Sequence, residues 1–138
     1  TREVMREFAP RLMLVNFWDM DVAHWGSYSL YLQAIARTDR LTGMLWDEIQ
    51  SNPHYKDRTT LLVLPELGRD GDQNAANGFL NHRSGDPACR QVWLLAMGAG
   101  VGETERPVEH VDVTAAAAEL LGMKMSGISG KPLKEIVG

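Results

Sequence analysis

Residues 11–26 read Arg-Leu-Met-Leu-Val-Asn-Phe-Trp-Asp-Met-Asp-Val-Ala-His-Trp-Gly, an aliphatic run that ends in a cluster of metal-ligand side chains. No other stretch restricts the possible folds as much. Periodicity alone does not separate a buried strand from a helical segment at residues 12–15. The shortness of the run and the polar residues after it favour an interior strand of a parallel sheet. Asp19, Asp21 and His24 then fall where that strand stops. In open α/β sheets, ligands bind in the crevice outside the carboxyl ends of the strands. The competing reading is a strand-to-helix connection in which the aspartates cap and the tryptophans pack.

The following segments repeat this logic. Ser27 or Ser29 can cap a helix that continues to about Gln50. Tyr31, Ala34, Ile35, Thr38, Leu41, Leu45 and Ile49 recur at three-to-four-residue spacing and form its apolar stripe. Arg37, Asp39, Arg40, Asp47 and Glu48 fall largely off the stripe and read as a solvated face. Asn52-Pro53 ends the helix, because the residue before proline avoids the α region. Residues 59–64 are a second strand, running into Pro65-Glu66-Leu67-Gly68-Arg69-Asp70. Residues 70–87 form a long polar loop that carries His82 and is functional or mobile. Residues 90–97 are a third strand, and Asp112 is a candidate N-cap for a helix through Leu121, closed by Gly122. A last apolar turn lies near Ile136.

Long connections between strands imply helical crossovers and parallel neighbours. The expected fold class is therefore α/β: a mainly parallel sheet flanked by helices, with residues 1–138 forming one domain or the C-terminal portion of a larger one. With 138 residues, 44% hydrophobic and 23% charged, the chain is globular. Its net charge of −4, without a long basic run, argues against nucleic acid as a partner. No apolar run approaches the roughly 20 residues that span a bilayer. Cys89 is the single cysteine, which excludes an internal disulfide and a cysteine-based zinc site.

Four histidines are present: His24, His54, His82 and His110. His54, beside Pro53, reads as a surface residue. The other three sit near strand ends or a helix start. Together with carboxylates, neutral imidazoles are the donor set for zinc, manganese and related ions. Other motifs fail on their own chemistry. Asp70-Gly-Asp72-Gln-Asn74 opens like a calcium loop but has Ala75 where glycine is needed and Asn81 where a bidentate Glu belongs. Ser129 lacks the second glycine of a nucleophile elbow, because Lys131 stands there.

Three segments together resemble the C-terminal half of the alkaline phosphatase superfamily, which includes phosphatases, sulfatases and cofactor-independent phosphoglycerate mutases. Asp19-Met-Asp-Val-Ala-His24-Trp-Gly26, with the helix containing Ala34-Ile-Ala-Arg-Thr-Asp39, resembles the metal-binding Asp-to-His segment and its following helix. Residues 59–68 are similar to the strand that ends in an Asp-His-Gly metal motif, with a later His placed like His82. His110-Val-Asp-Val-Thr-Ala-Ala-Ala-Ala-Glu-Leu-Leu-Gly122 and Gly130-Lys-Pro-Leu133 resemble the C-terminal helix and closing turn of sulfatase-like members. The Asp-His pair is replaced by Glu66-Leu67, and Glu66-Leu-Gly-Arg69 resembles a Glu-Phe-Gly-Arg variant in a subgroup of secreted relatives.

The resemblance implies a partial alkaline-phosphatase-like three-layer fold with the N-terminal half absent. It also implies a metal-dependent hydrolase of phosphate or sulfate esters, with zinc or manganese held by Asp21, His24 and His82, and with Asp19 and Glu66 as further candidates. The nucleophile belongs to the half that this chain does not match, so the resemblance implies that activity needs that half or another protein chain. No cellular address follows from the residues; periplasmic or secreted placement is implied by the resemblance alone. The competing expectation is a non-catalytic structural or interaction subunit that retains the fold.

Overall fold

The computed structural model describes residues 1–71, 78–102 and 107–137. The middle of the expected polar loop, including Asp72 and Asn74 of the calcium-like motif, lies outside the described residues, as does the stretch 103–106. The chain divides into two compact units. One comprises Thr1–Leu14, Gln50–Leu62 and Ala96–Gly138; the other comprises Val15–Ile49 and Val63–Leu95.

In the first unit, helix α1 (Arg2–Phe8) is held by Met5, which is buried and whose carbonyl accepts a 2.8 Å hydrogen bond from the Tyr55 hydroxyl. Helix α4 (His110–Leu120) presents Ala115, Ala116 and Ala118 to the interior. Its N-cap is Glu109 and not Asp112: the Asp112 carboxylate, three residues into the turn, accepts from the Glu109 backbone N–H at 3.1 Å. This is the return half of a capping box. The same carboxylate accepts from the Lys131 N–H at 2.9 Å, which ties the C-terminal segment to the start of the helix. Gly130 is required there, because a Cβ would lie 1.9 Å from the Val111 carbonyl oxygen. Leu133 is fully buried just beyond it, before the short helix α5 (Lys134–Val137). Gly122, at φ 69°, closes α4 as expected.

In the second unit, a 3-10 helix covers Asp19–Trp25 and α2 starts at Tyr28, running to Ser51. Ser27 caps α2, its Oγ accepting from the Leu30 N–H at 3.4 Å. The expected stripe of α2 holds at Ala34 and Ile49, which are buried, but Ile35 is exposed. Glu48 departs from the solvated face expected for it and is buried. A short helix α3 (Pro87–Arg90) is capped by Asp86, whose side chain accepts from the Ala88 N–H at 2.8 Å.

The expected mainly parallel α/β sheet, and with it the three-layer alkaline-phosphatase-like architecture, is not what the chain forms. The described residues contain one two-stranded sheet, β1 (Thr60–Val63) with β2 (Leu95–Gly98), and the pair is antiparallel. Thr59 accepts from the Ala99 N–H at 3.0 Å, and the Thr60 hydroxyl donates to the Ala99 carbonyl at 2.8 Å, so the start of β1 meets the end of β2. The long connection was expected to be a crossover. It instead contributes short helices and a folded loop to the second unit before the chain returns in the opposite direction. Residues 12–15 join no sheet among the described residues, and Leu12 and Leu14 are 65% and 94% exposed. A strand needs ladder partners for its N–H and C=O groups. The third expected strand is shortened for a different reason, since its first residue, Arg90, is the end of α3.

No helix among the described residues is long and apolar enough to cross a membrane.

Candidate functional site

The 3-10 helix Asp19–Trp25 sorts its side chains by its own pitch. At three residues per turn, positions i and i+3 eclipse one another. Met20 and Ala23 face inward: Ala23 is fully buried and the Met20 sulfur accepts from the Thr38 hydroxyl at 3.3 Å. Asp19, Val22 and Trp25, with Asp21 at its edge, line an open groove of about 410 Å³, bordered by Trp18 and Leu30. Asp21 and His24 form the remaining pair, and both meet Arg69. Gly26, at φ 86°, ends the turn with its N–H on the Ala23 carbonyl, a backbone conformation that suits glycine.

Arg69 is the centre of this arrangement. Its Nη1 lies 3.2 Å from His24 Nε2, its Nη2 donates to the Met20 carbonyl at 3.1 Å, and the same Nη2 is 3.6 Å from the Asp21 carboxylate. The guanidinium carbon stands 5.8 Å from the centre of the Tyr31 ring, within cation–π range. Guanidinium has donors only, so His24 Nε2 is the acceptor of this bond. Gly68 lets the Arg69 segment approach α3: its N–H donates to the Cys89 carbonyl, and a Cβ would lie 1.9 Å from the Ala88 oxygen.

His82 reaches the same place from the loop. Its ring meets His24 edge to face, with centroids 5.0 Å apart. Two anchors fix it. On one side Phe79 packs against Tyr28 and Tyr31 of α2, with centroids 5.0 and 5.9 Å apart. On the other, buried Asp70 accepts from the Arg83 backbone N–H at 3.0 Å and from Arg83 Nε, while the Asp70 N–H donates to the Asn81 carbonyl at 3.0 Å. The neighbours of His82 on both sides are thus strapped to one residue. Asp86 adds a further tie, accepting from the Gly71 N–H at 3.0 Å.

Burial alone would push the Asp70 carboxyl up, but hydrogen bonds from Cys89 and Arg83, with the Arg83 charge, hold it below its ordinary value. The Cys89 thiol is pushed up to about 11 by burial, and further by the Asp70 carboxylate to which it donates at 3.1 Å. Cys89 is therefore an inert buried donor at neutral pH.

Of the five residues expected from sequence, His24 and His82 come together and Asp21 shares Arg69 with His24. Asp19 turns away to an ion pair with Arg37 at 2.7 Å, and Glu66 is exposed. His110 belongs to the other unit. Among the described residues no three of His, Cys, Asp and Glu are grouped to hold a metal ion. As arranged, the donors do not fit one: the His24 Nε2 lone pair is engaged by Arg69, and Asp21 sits beside the same cation. Arg69, Asp70 and Phe79 carry roles that residue type did not announce. The adjacency of Arg69 and Asp70 to Glu66-Leu67-Gly68 was the available signal.

Comparison with protein-family models, with curated proteins and with solved structures finds no match to the chain.

Proposed function

We propose that this chain contributes one side of the centre of a metal-dependent hydrolase of phosphate or sulfate esters, of the alkaline phosphatase superfamily kind, and is not active by itself. The observation that supports this reading is the meeting of His24 and His82, which come from distant parts of the sequence and are held by separate anchors. A divalent metal, zinc or manganese, would polarise the ester and activate a nucleophile. The resemblance assigns His24, His82 and Asp21 to that metal, but as arranged His24 and Asp21 face Arg69, so they would serve it only in an arrangement completed from outside this chain. Further donors and the nucleophile would come from a preceding segment or a second chain.

A second reading, a non-catalytic interaction subunit, is favoured by one observation: Arg69 already occupies His24. Equilibrium dialysis against saturating zinc or manganese separates the two. The hydrolase reading expects one bound equivalent that is lost in His24→Ala and in His82→Ala. Absence of bound metal, or binding indifferent to both substitutions, would sink it.

A further inference from the structure

We propose that the groove along the 3-10 helix Asp19–Trp25 binds a neutral oligosaccharide whose pyranose rings carry equatorial hydroxyls. The proposal stands apart from the hydrolase reading, because neither His24 nor His82 lines this groove.

Two tryptophans set its apolar side. Trp18 is the N-cap of the 3-10 helix and Trp25 its last residue, so the indoles border the groove from opposite ends of one element. They are 72% and 86% exposed, although indole is among the largest apolar bodies that a side chain can bury. Leu30 of α2, also exposed, continues the apolar surface. At about 410 Å³ the space falls within the roughly 300–1,000 Å³ of small-molecule sites, whose usual lining is apolar and aromatic with a few polar groups.

The charges decide which class of molecule fits. Asp19 is paired with Arg37 at 2.7 Å, and both line the groove, while Asp21 at its edge lies 3.6 Å from Arg69. Each carboxylate is thus matched by a guanidinium. A cationic ligand would be drawn to the indole faces but would meet the Arg37 charge, and an anionic one would meet two carboxylates. A wholly apolar ligand would cover these groups without hydrogen bonding them, at a desolvation cost. A neutral hydroxyl meets none of these penalties, since it donates to a carboxylate oxygen and accepts from a guanidinium N–H. Capacity for such bonds remains: the contact with Asp19 uses one of the five N–H donors of a guanidinium and one of two carboxylate oxygens. Gln33, exposed in the same wall, adds an amide that both donates and accepts. A pyranose with equatorial hydroxyls brings the matching surface. Its C–H groups form an apolar face that lies on an indole, and its hydroxyls form a rim that reaches the polar groups.

The test is a heteronuclear NMR titration of the full chain with cellotriose and with triacetylchitotriose, read at the indole N–H signals and assigned with Trp18→Phe and Trp25→Phe. With at least one of the two sugars, the Trp18 and Trp25 signals are expected to shift saturably. Trp93, which is 58% exposed but lies outside the groove, is expected to stay unmoved. Trp25→Ala removes an exposed side chain, and it should weaken binding about tenfold. Arg37→Met should weaken it as well. No shift at millimolar sugar overturns the proposal, and so does an equal shift of Trp93, which would mark unspecific stacking. Tetramethylammonium or inorganic phosphate moving the two signals where the sugars do not would make this an ion site and overturn it. Dimerisation in sedimentation velocity that Trp25→Ala abolishes, without sugar binding, would assign the groove to a second copy of the chain and overturn it too. Should Trp25→Ala not fold, the titration of the unsubstituted chain decides alone.

Discussion

The carboxylate of Asp70 and the two nitrogens of Arg83, backbone and Nε, form the clamp that presents His82. Because the acceptor is buried and its partner lies next to His82 in sequence, the position of a solvent-exposed imidazole depends on an interior charge.

That charge makes the second unit acid-sensitive. The folded-state value of Asp70 lies below its ordinary 3.8, so its contribution to stability is full above that value and is lost as the pH falls through the lowered one. Thermal unfolding followed by circular dichroism between pH 2 and 7 should show a loss of stability in this acid range. Asp70→Asn should be less stable at pH 7 and should lack that part of the acid dependence.

Cys89 should be unreactive in the native state. With the thiol at about 11, thiolate at pH 8 is on the order of one part in a thousand. A disulfide exchange reagent should label the protein slowly at pH 8 and rapidly once it is unfolded in urea. Asp70→Asn, which keeps an amide oxygen as acceptor but removes the charge, should raise the labelling rate.

Two glycines should respond to alanine with opposite signs. At Gly130 the added methyl would meet the Val111 carbonyl at 1.9 Å, a backbone contact that cannot rotate away, so Gly130→Ala should cost about 1–3 kcal/mol. At Gly43, inside α2, a Cβ meets nothing within 4 Å. There the substitution removes backbone freedom from the unfolded chain and should stabilise by roughly 0.5–1 kcal/mol. Urea denaturation of both variants checks the pair.

Leu14 should matter for association and not for folding. It is 94% exposed, so Leu14→Asp should change unfolding free energy by less than about 0.5 kcal/mol. If residues 12–14 form a docking surface, the substitution should also reduce self-association or partner binding measured by sedimentation velocity. A large fall in melting temperature would show instead that this segment is part of the core.

Local rules were legible in the residues themselves. The capped helix from Ser27 to the Asn52-Pro53 stop, the glycine closing α4 and the surface position of His54 follow from capping, proline sterics and side-chain polarity, which act within a few residues. The meeting of His24 with His82 was an expectation of the family resemblance, and it occurs without the parallel sheet on which that expectation placed it. Strand pairing was not, because residues 12–15 have the composition of a buried strand whether or not a neighbour exists. The direction of β2 against β1 depends on how the intervening chain folds. Nor could residue type say that Asp21 would turn to Arg69 while Asp19 turned to Arg37. The helical turn at Asp19–Trp25, with its three-residue spacing of Asp21 and His24, decides that, and with it which carboxylate stands beside the histidine pair. Tertiary structure decided the charge at the centre: it placed a guanidinium, whose donors cannot ligate a metal, on the nitrogen that could.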